Sequence, residues 1–248
     1  MRNRALVMPI LAVACVFFAA CGSGKSHGSA PSDGSAMRAK TASVEAFKAA
    51  AERAANSTLL TIVDFSKGWE GTAQHHSDLE LQLSPRCQAW SDKPTNYDGA
   101  VFENESNEFN AKHEESVSSD VGVYRTTALA EQAQAQELDM FTRCRGEVET
   151  AFKQYFSDAP GISNADVKFI DVAPPATGDW SYAFKVAMVI QGKALTVQSD
   201  INVNVVRTGR VVASLSYSDD GSFDHQMADR LVTTLSDRVA KADAALPD

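Results

Sequence analysis

The sequence predicts an α+β fold: a twisted antiparallel sheet ending in a C-terminal meander, with helices packed on one face. Three observations carry this. Residues 195–205 alternate almost strictly, with Leu195, Val197, Ile201, Val203 and Val205 on one face and Thr196, Gln198, Asp200, Asn202 and Asn204 on the other. That period of two marks a half-buried antiparallel strand. The turn dipeptides Gly192-Lys193 and Thr208-Gly209 join it to strands at 180–190 and 211–217. Beyond the polar stretch 218–222, Phe223, Met227, Leu231, Leu235 and Val239 recur every four residues, the spacing of an amphipathic helix lying on the sheet.

The earlier elements follow the same logic. Ser43 is placed to cap a helix over 43–56, with Glu45 in its first turn and Val44, Phe47, Ala51 and Ala54 facing a core. In 59–69, Leu60, Val63, Phe65 and Trp69 are expected to pack inward from a short strand or turn. Residues 115–125 read as a strand whose Val117, Val121 and Val123 share a face. Thr126 or Thr127 then caps a helix carrying Leu129, Ala133, Met140, Phe141, Cys144, Val148 and Phe152, which Gly146 is expected to bend or divide. A strand at 167–172 precedes the meander, and Phe184, Val186, Met188 and Ile190 mark the apolar face of 180–190. No internal repeat or second linker interrupts 43–248, a length suited to a single domain with one substantial core.

The N-terminus carries Arg2 and Arg4, then an apolar run from Ala5 to Phe18 that is too short for a permanent membrane span. Phe18-Ala19-Ala20-Cys21-Gly22 follows and resembles the lipobox of bacterial lipoprotein precursors, with small residues at the two positions before the cysteine. The resemblance implies a signal peptide over 1–20 and lipidation of Cys21. Residues 22–42 are small and polar at first and read as a flexible tether. The expected location is the extracytoplasmic face of the cell membrane, with acyl chains, palmitate among them, as the anchor.

Removing 1–20 takes away Arg2 and Arg4 and shifts the formal charge from −9 to −11. An acidic chain without a Lys/Arg cluster repels phosphate backbones, so no nucleic-acid partner is expected. Cys15 leaves with the signal and Cys21 is lipidated, which leaves Cys87 and Cys144. Outside the cytoplasm such a pair most often forms a disulfide, and neither cysteine lies in the Cys-x-x-Cys arrangement of a redox site.

Catalytic signatures fare poorly. Gly22-Ser-Gly24-Lys25-Ser26 imitates the end of a phosphate-binding loop, but position 19 is Ala where the first glycine belongs, so no nucleotide is expected. A Gly-x-Ser-x-Gly nucleophile elbow is absent. His75-His76 with Asp78, and His113-Glu114-Glu115, lack helical zinc spacing and read as solvated loops, so neither a metal nor a cofactor is expected. The row Gln198, Asp200, Asn202 and Asn204 reads first as the solvent-facing side of the strand, with a ligand-facing groove as the alternative, since rows of amides and hydroxyls also bind sugars and peptides.

The succession of helix, Gly68-Trp69, the Cys144 helix and the terminal strands resembles actinobacterial exported lipoproteins. It is also distantly similar to the extracellular sensor domain of a mycobacterial receptor serine/threonine kinase. Those sensor domains usually carry two disulfides where this chain can form one. The resemblance implies a non-enzymatic ligand-binding or sensor-like domain whose partner is an envelope ligand or protein. A lipid carrier holding acyl chains between sheet and helices is the alternative, and an envelope hydrolase a more distant one.

Overall fold

A computed structural model describes residues 34–74, 81–91, 97–111, 115–174, 176–193, 196–219 and 225–248. The predicted signal, Cys21, His75, His76, Asp78, His113, Glu114, Leu195 and Phe223 lie outside these residues. In chain order the elements are α1 (Gly34–Thr58), β1 (Glu70–Thr72), α2 (Pro85–Ser91), β2 (Phe102–Glu105), β3 (Glu108–Asn110) and β4 (Ser116–Val123). They continue with α3 (Thr127–Ser157), β5 (Ile162–Val172), β6 (Trp180–Gly192), β7 (Thr196–Thr208), β8 (Val211–Asp219) and α4 (His225–Ala244).

The strands form one antiparallel sheet in the order β1-β3-β4-β8-β7-β6-β5, with β2 also pairing with β4. The meander expected over 180–218 is β6-β7-β8, in register from Trp180 opposite Arg207 to Thr208 opposite Val211. Gly209, at φ 54°, takes the left-handed conformation that the tight β7–β8 turn needs.

Directly paired residues share a face of a sheet, and this register divides the helices between the faces. Val117, Val121, Val123, Val206, Val211, Ala213, Leu215 and Tyr217 form one apolar surface, covered by α1 through Phe47, Ala51, Ala54 and Ala55 and by α4 through Leu231, Leu235 and Val239. On the opposite face, Val167, Phe169, Phe184, Val186, Met188, Ile201 and Val203 pack under α3 through Phe141, Cys144, Val148 and Phe152. Rings fill this second core, with the Phe141 and Phe184 centroids 4.5 Å apart and those of Phe169 and Phe184 5.9 Å apart.

Cys87 of α2 is bonded to Cys144 of α3 across a sequence separation of 57. The expected disulfide is present. It staples the short α2 to the second core.

Several boundaries and orientations depart from the sequence reading. The first helix starts at Gly34, so Ser43 lies inside it and caps nothing; Ala36, Met37, Arg38, Ala39 and Lys40 are good helix formers that extend it upstream. Val44 is 42% exposed and Leu129 40% exposed, both at the margins of their helices' apolar stripes. Gly146 does not divide α3, whose apolar stripe is buried on both sides of it; that burial outweighs the roughly 1 kcal/mol a helical glycine costs. Thr126 does cap α3, its Oγ1 accepting from Leu129 N at 3.3 Å. Val63 does not pack inward: it is 82% exposed, while Leu60 is buried and Phe65 and Trp69 lean against the core. Its turn, Ile62–Asp64, is a single 3-10 helix that aims this residue at solvent.

Candidate functional site

A row of polar residues lies buried across β4 and β8. With Val117, Val121 and Val123 facing α1 and α4, the alternate residues of β4 face the other way: Ser116, Ser118, Asp120 and Gly122. Their partners on β8 are Ser218, Ser216, Ser214 and Val212. Ser116, Asp120, Ser214, Ser216 and Ser218 are all buried. This is a hydroxyl-lined strip beside the α3 core.

Asp120 is its centre. Ser214 Oγ donates to Asp120 Oδ2 at 3.1 Å, and the Ser214 hydroxyl also bonds Tyr97. Gln74 contributes another side-chain hydrogen bond to Asp120, and its Nε2 donates to Ser106 O at 3.1 Å. The Tyr97 ring lies directly on Gly122, where an added Cβ would stand 2.4 Å from Tyr97 Cδ1. Tyr124 is buried beside it, against Ala130 and Ala133 of α3. Glu137, one turn further along α3, faces the same region.

Burial dominates the electrostatics. Desolvation pushes the Asp120 carboxyl well above the usual carboxylate range, assisted by Glu105 and Glu137 and opposed by the Ser214 and Gln74 hydrogen bonds. Desolvation alone lifts Glu137 to about 7, and with Asp98 as a lesser cause it also raises Glu103. Both tyrosine hydroxyls are pushed up, Tyr97 by burial and then Asp120, Tyr124 by burial and then Glu137. Burial thus disfavours the charged form of each of these groups. Such a cluster offers hydroxyl and carboxyl hydrogen bonds to a polar ligand, and perturbed acids of this kind concentrate at functional sites.

The residues selected from sequence lie elsewhere. Gln198, Asp200, Asn202 and Asn204 pair with Val189, Ala187, Lys185 and Ala183 of β6, and Asn202 and Asn204 also pair with Tyr217 and Leu215 of β8. They therefore share the α1/α4 face, and the sheet separates them from Asp120. Gln198 is exposed; Lys185 Nζ bonds Asp200 Oδ2 at 3.1 Å; the Asn202 Nδ2 is buried without a hydrogen-bond partner among the described residues. Among the described residues no group of three or more His, Cys, Asp and Glu side chains is disposed to hold a metal.

The Asp120 cluster was missed because its residues are ordinary one at a time. A signal did exist: once Val117, Val121 and Val123 are assigned inward, Ser116, Ser118 and Asp120 must share the other face, and the alternation Ser214, Ser216, Ser218 repeats it on the last strand. What the sequence lacked was the pairing that lays the two rows side by side.

Among solved structures, the fold is similar to the extracellular domain of PknH from Mycobacterium tuberculosis, at a TM-score of 0.50 and 15% identity, covering 77% of this chain and 97% of that one. No protein-family model matches the chain. No curated protein matches it either.

Proposed function

We propose that this protein is a sensor-like, ligand-binding domain of the cell envelope, non-enzymatic and anchored through a lipid on Cys21. The observation that carries the binding role is the buried Asp120–Ser214–Tyr97 cluster, with Glu137 and Tyr124 beside it. A fold shared with a kinase's extracellular domain supports the same reading. Among the described residues no helix is long and apolar enough to cross a membrane, which is compatible with attachment from outside.

The chemistry of the cluster selects the ligand. Buried carboxyls and tyrosine hydroxyls surrounded by serines favour a neutral polar molecule that both donates and accepts hydrogen bonds, because each buried group can then find a partner. Gln198, Asp200, Asn202 and Asn204 make a second, more open polar surface on the opposite face.

Native mass spectrometry of the full chain purified from its own host tests the proposal. A co-purifying polar small molecule, lost in Asp120→Ala, is the expected result. A co-purifying acyl lipid instead makes the protein a carrier and overturns it.

A further inference from the structure

A second surface stands apart from this site. Where α1 and α4 run side by side they enclose an open groove of about 300 Å³, floored by Ala50, Ala54, Ala242 and Ala245 and edged by Arg53, Arg238 and Lys241. No carboxylate lines it, although the chain as a whole carries −9. Arg238 is partly spent, since its guanidinium grips Asp64 at 2.6 and 2.9 Å and the Leu59 carbonyl at 2.7 Å. Arg53 and Lys241 are exposed.

The Asp64 that Arg238 holds ends the turn Ile62–Asp64. Beside the cationic groove, therefore, sits the most exposed large apolar residue among those described: Val63 is 82% exposed and Ile62 47%, where Val44, Leu129, Tyr155 and Ile170 are all between 40% and 42%. The tip is not slack. Asp64 Oδ2 also accepts from Thr61 N at 2.8 Å, Leu60 is buried on one side, and on the other the Phe65 ring packs tilted against Trp69 and Phe109 with centroids 4.8 and 4.6 Å away. Lys67 adds a further exposed cation. Holding two branched apolar side chains in water with this scaffolding costs free energy unless something removes them from it.

We propose that the Ile62–Val63 tip and the groove edged by Arg53, Arg238 and Lys241 form a docking face for an anionic phospholipid surface. Apolar side chains that enter the headgroup region, flanked by cations that meet lipid phosphates, are the two components of interfacial membrane binding. Local charge complementarity selects the occupant: the exposed Arg53 and Lys241 meet lipid phosphates at an edge that no carboxylate lines, and a free phosphate would leave Val63 in water. The proposal rests on the chain being tethered to a membrane. Residues 22–33 span at most roughly 40 Å when extended, enough to let the domain lie down beside its anchor.

Hydrogen exchange on the processed protein, anchored in nanodiscs through its lipidated Cys21, tests it. One set is pure phosphatidylcholine and the other contains phosphatidylglycerol. In the anionic discs, exchange over 61–67 should slow by at least about fivefold, the factor one surface cation contributes. Arg53→Glu with Lys241→Glu should abolish the slowing, and so should Val63→Asp; all three positions are exposed, so folding is spared. High salt should weaken it.

Equal exchange in both discs overturns the proposal, as does slowing that survives charge reversal. Slowing reproduced by inorganic phosphate with neutral discs makes the groove a small-anion site, and slowing that grows with protein concentration makes it a self-association face; either replaces the proposal. A chain that fails to stay with the discs refutes the tether instead, a result distinct from a retained chain without protection.

Discussion

The Tyr97 ring rests on the bare α-carbon of Gly122, with no room between them for a methyl group. The contact brings the Tyr97 hydroxyl to Ser214 and through it to Asp120, so one missing Cβ on β4 underlies the arrangement of the polar cluster.

Gly122→Ala should therefore destabilise the protein by about 1–3 kcal/mol, the usual cost of overpacking a filled interior. The added Cβ meets Tyr97 at Cγ and Cβ as well as Cδ1, so the whole ring must move. A lowered urea midpoint with unchanged slope checks it. An unchanged midpoint would show that Tyr97 is not held there.

Glu137 links stability to pH. Its carboxyl is raised from 4.5 to about 7 by desolvation, so the folded protein holds this proton more tightly than the unfolded chain. Its contribution is fully present below pH 4.5 and is lost as pH rises to about 7. Glu137→Gln should flatten that part of the profile and raise stability above pH 7 by on the order of 1–3 kcal/mol. Thermal melts of both proteins between pH 4 and pH 8 supply the comparison, and parallel curves would contradict the assignment.

Reduction of Cys87–Cys144 should cost roughly 4 kcal/mol on the chain-entropy account, because the bond closes a loop with a separation of 57. Cys87→Ser with Cys144→Ser should lose a similar amount, read from denaturant midpoints. Exchange at the backbone amides of α2 should rise most, since that helix of seven residues otherwise depends on contacts such as Ser84 Oγ donating to Glu147 Oε2 at 2.8 Å.

Arg238→Met removes the partner of an Asp64 side chain that is only 10% exposed. An uncompensated, largely buried carboxylate should cost about 2–4 kcal/mol, whereas Asp64→Asn in the Arg238→Met background should recover part of it. Equal stability of the single and double variants would argue against a coupled pair.

Cys21→Ala addresses the anchor. The lipobox-like Ala19-Ala20-Cys21 predicts that the substituted protein is released from the membrane fraction or accumulates as an uncleaved precursor. Processing and retention identical to the parent protein would refute lipidation.

Much of the architecture was legible because period and composition are local. The alternation through 196–205 became β7, the steps of four at Met227, Leu231, Leu235 and Val239 became the buried stripe of α4, and Thr126 became the cap of α3. Orientation at the margins was not legible: Val63 has the same hydrophobicity whether it faces a core or solvent, and the turn that points it outward is held both by Thr61 and by Arg238, far along the chain, through Asp64.

The sequence by itself determined an α+β chain with a C-terminal meander, the two cysteines available to pair, and an N-terminal segment that reads as an export and lipidation signal. The tertiary structure alone decided which polar residues meet. Pairing β4 with β8 in antiparallel register lays Asp120 against Ser214, a contact between residues 94 positions apart, and burial then pushes the Asp120 carboxyl above the usual carboxylate range. Desolvation and long-range register are properties of the assembled sheet, and no local pattern encodes either of them.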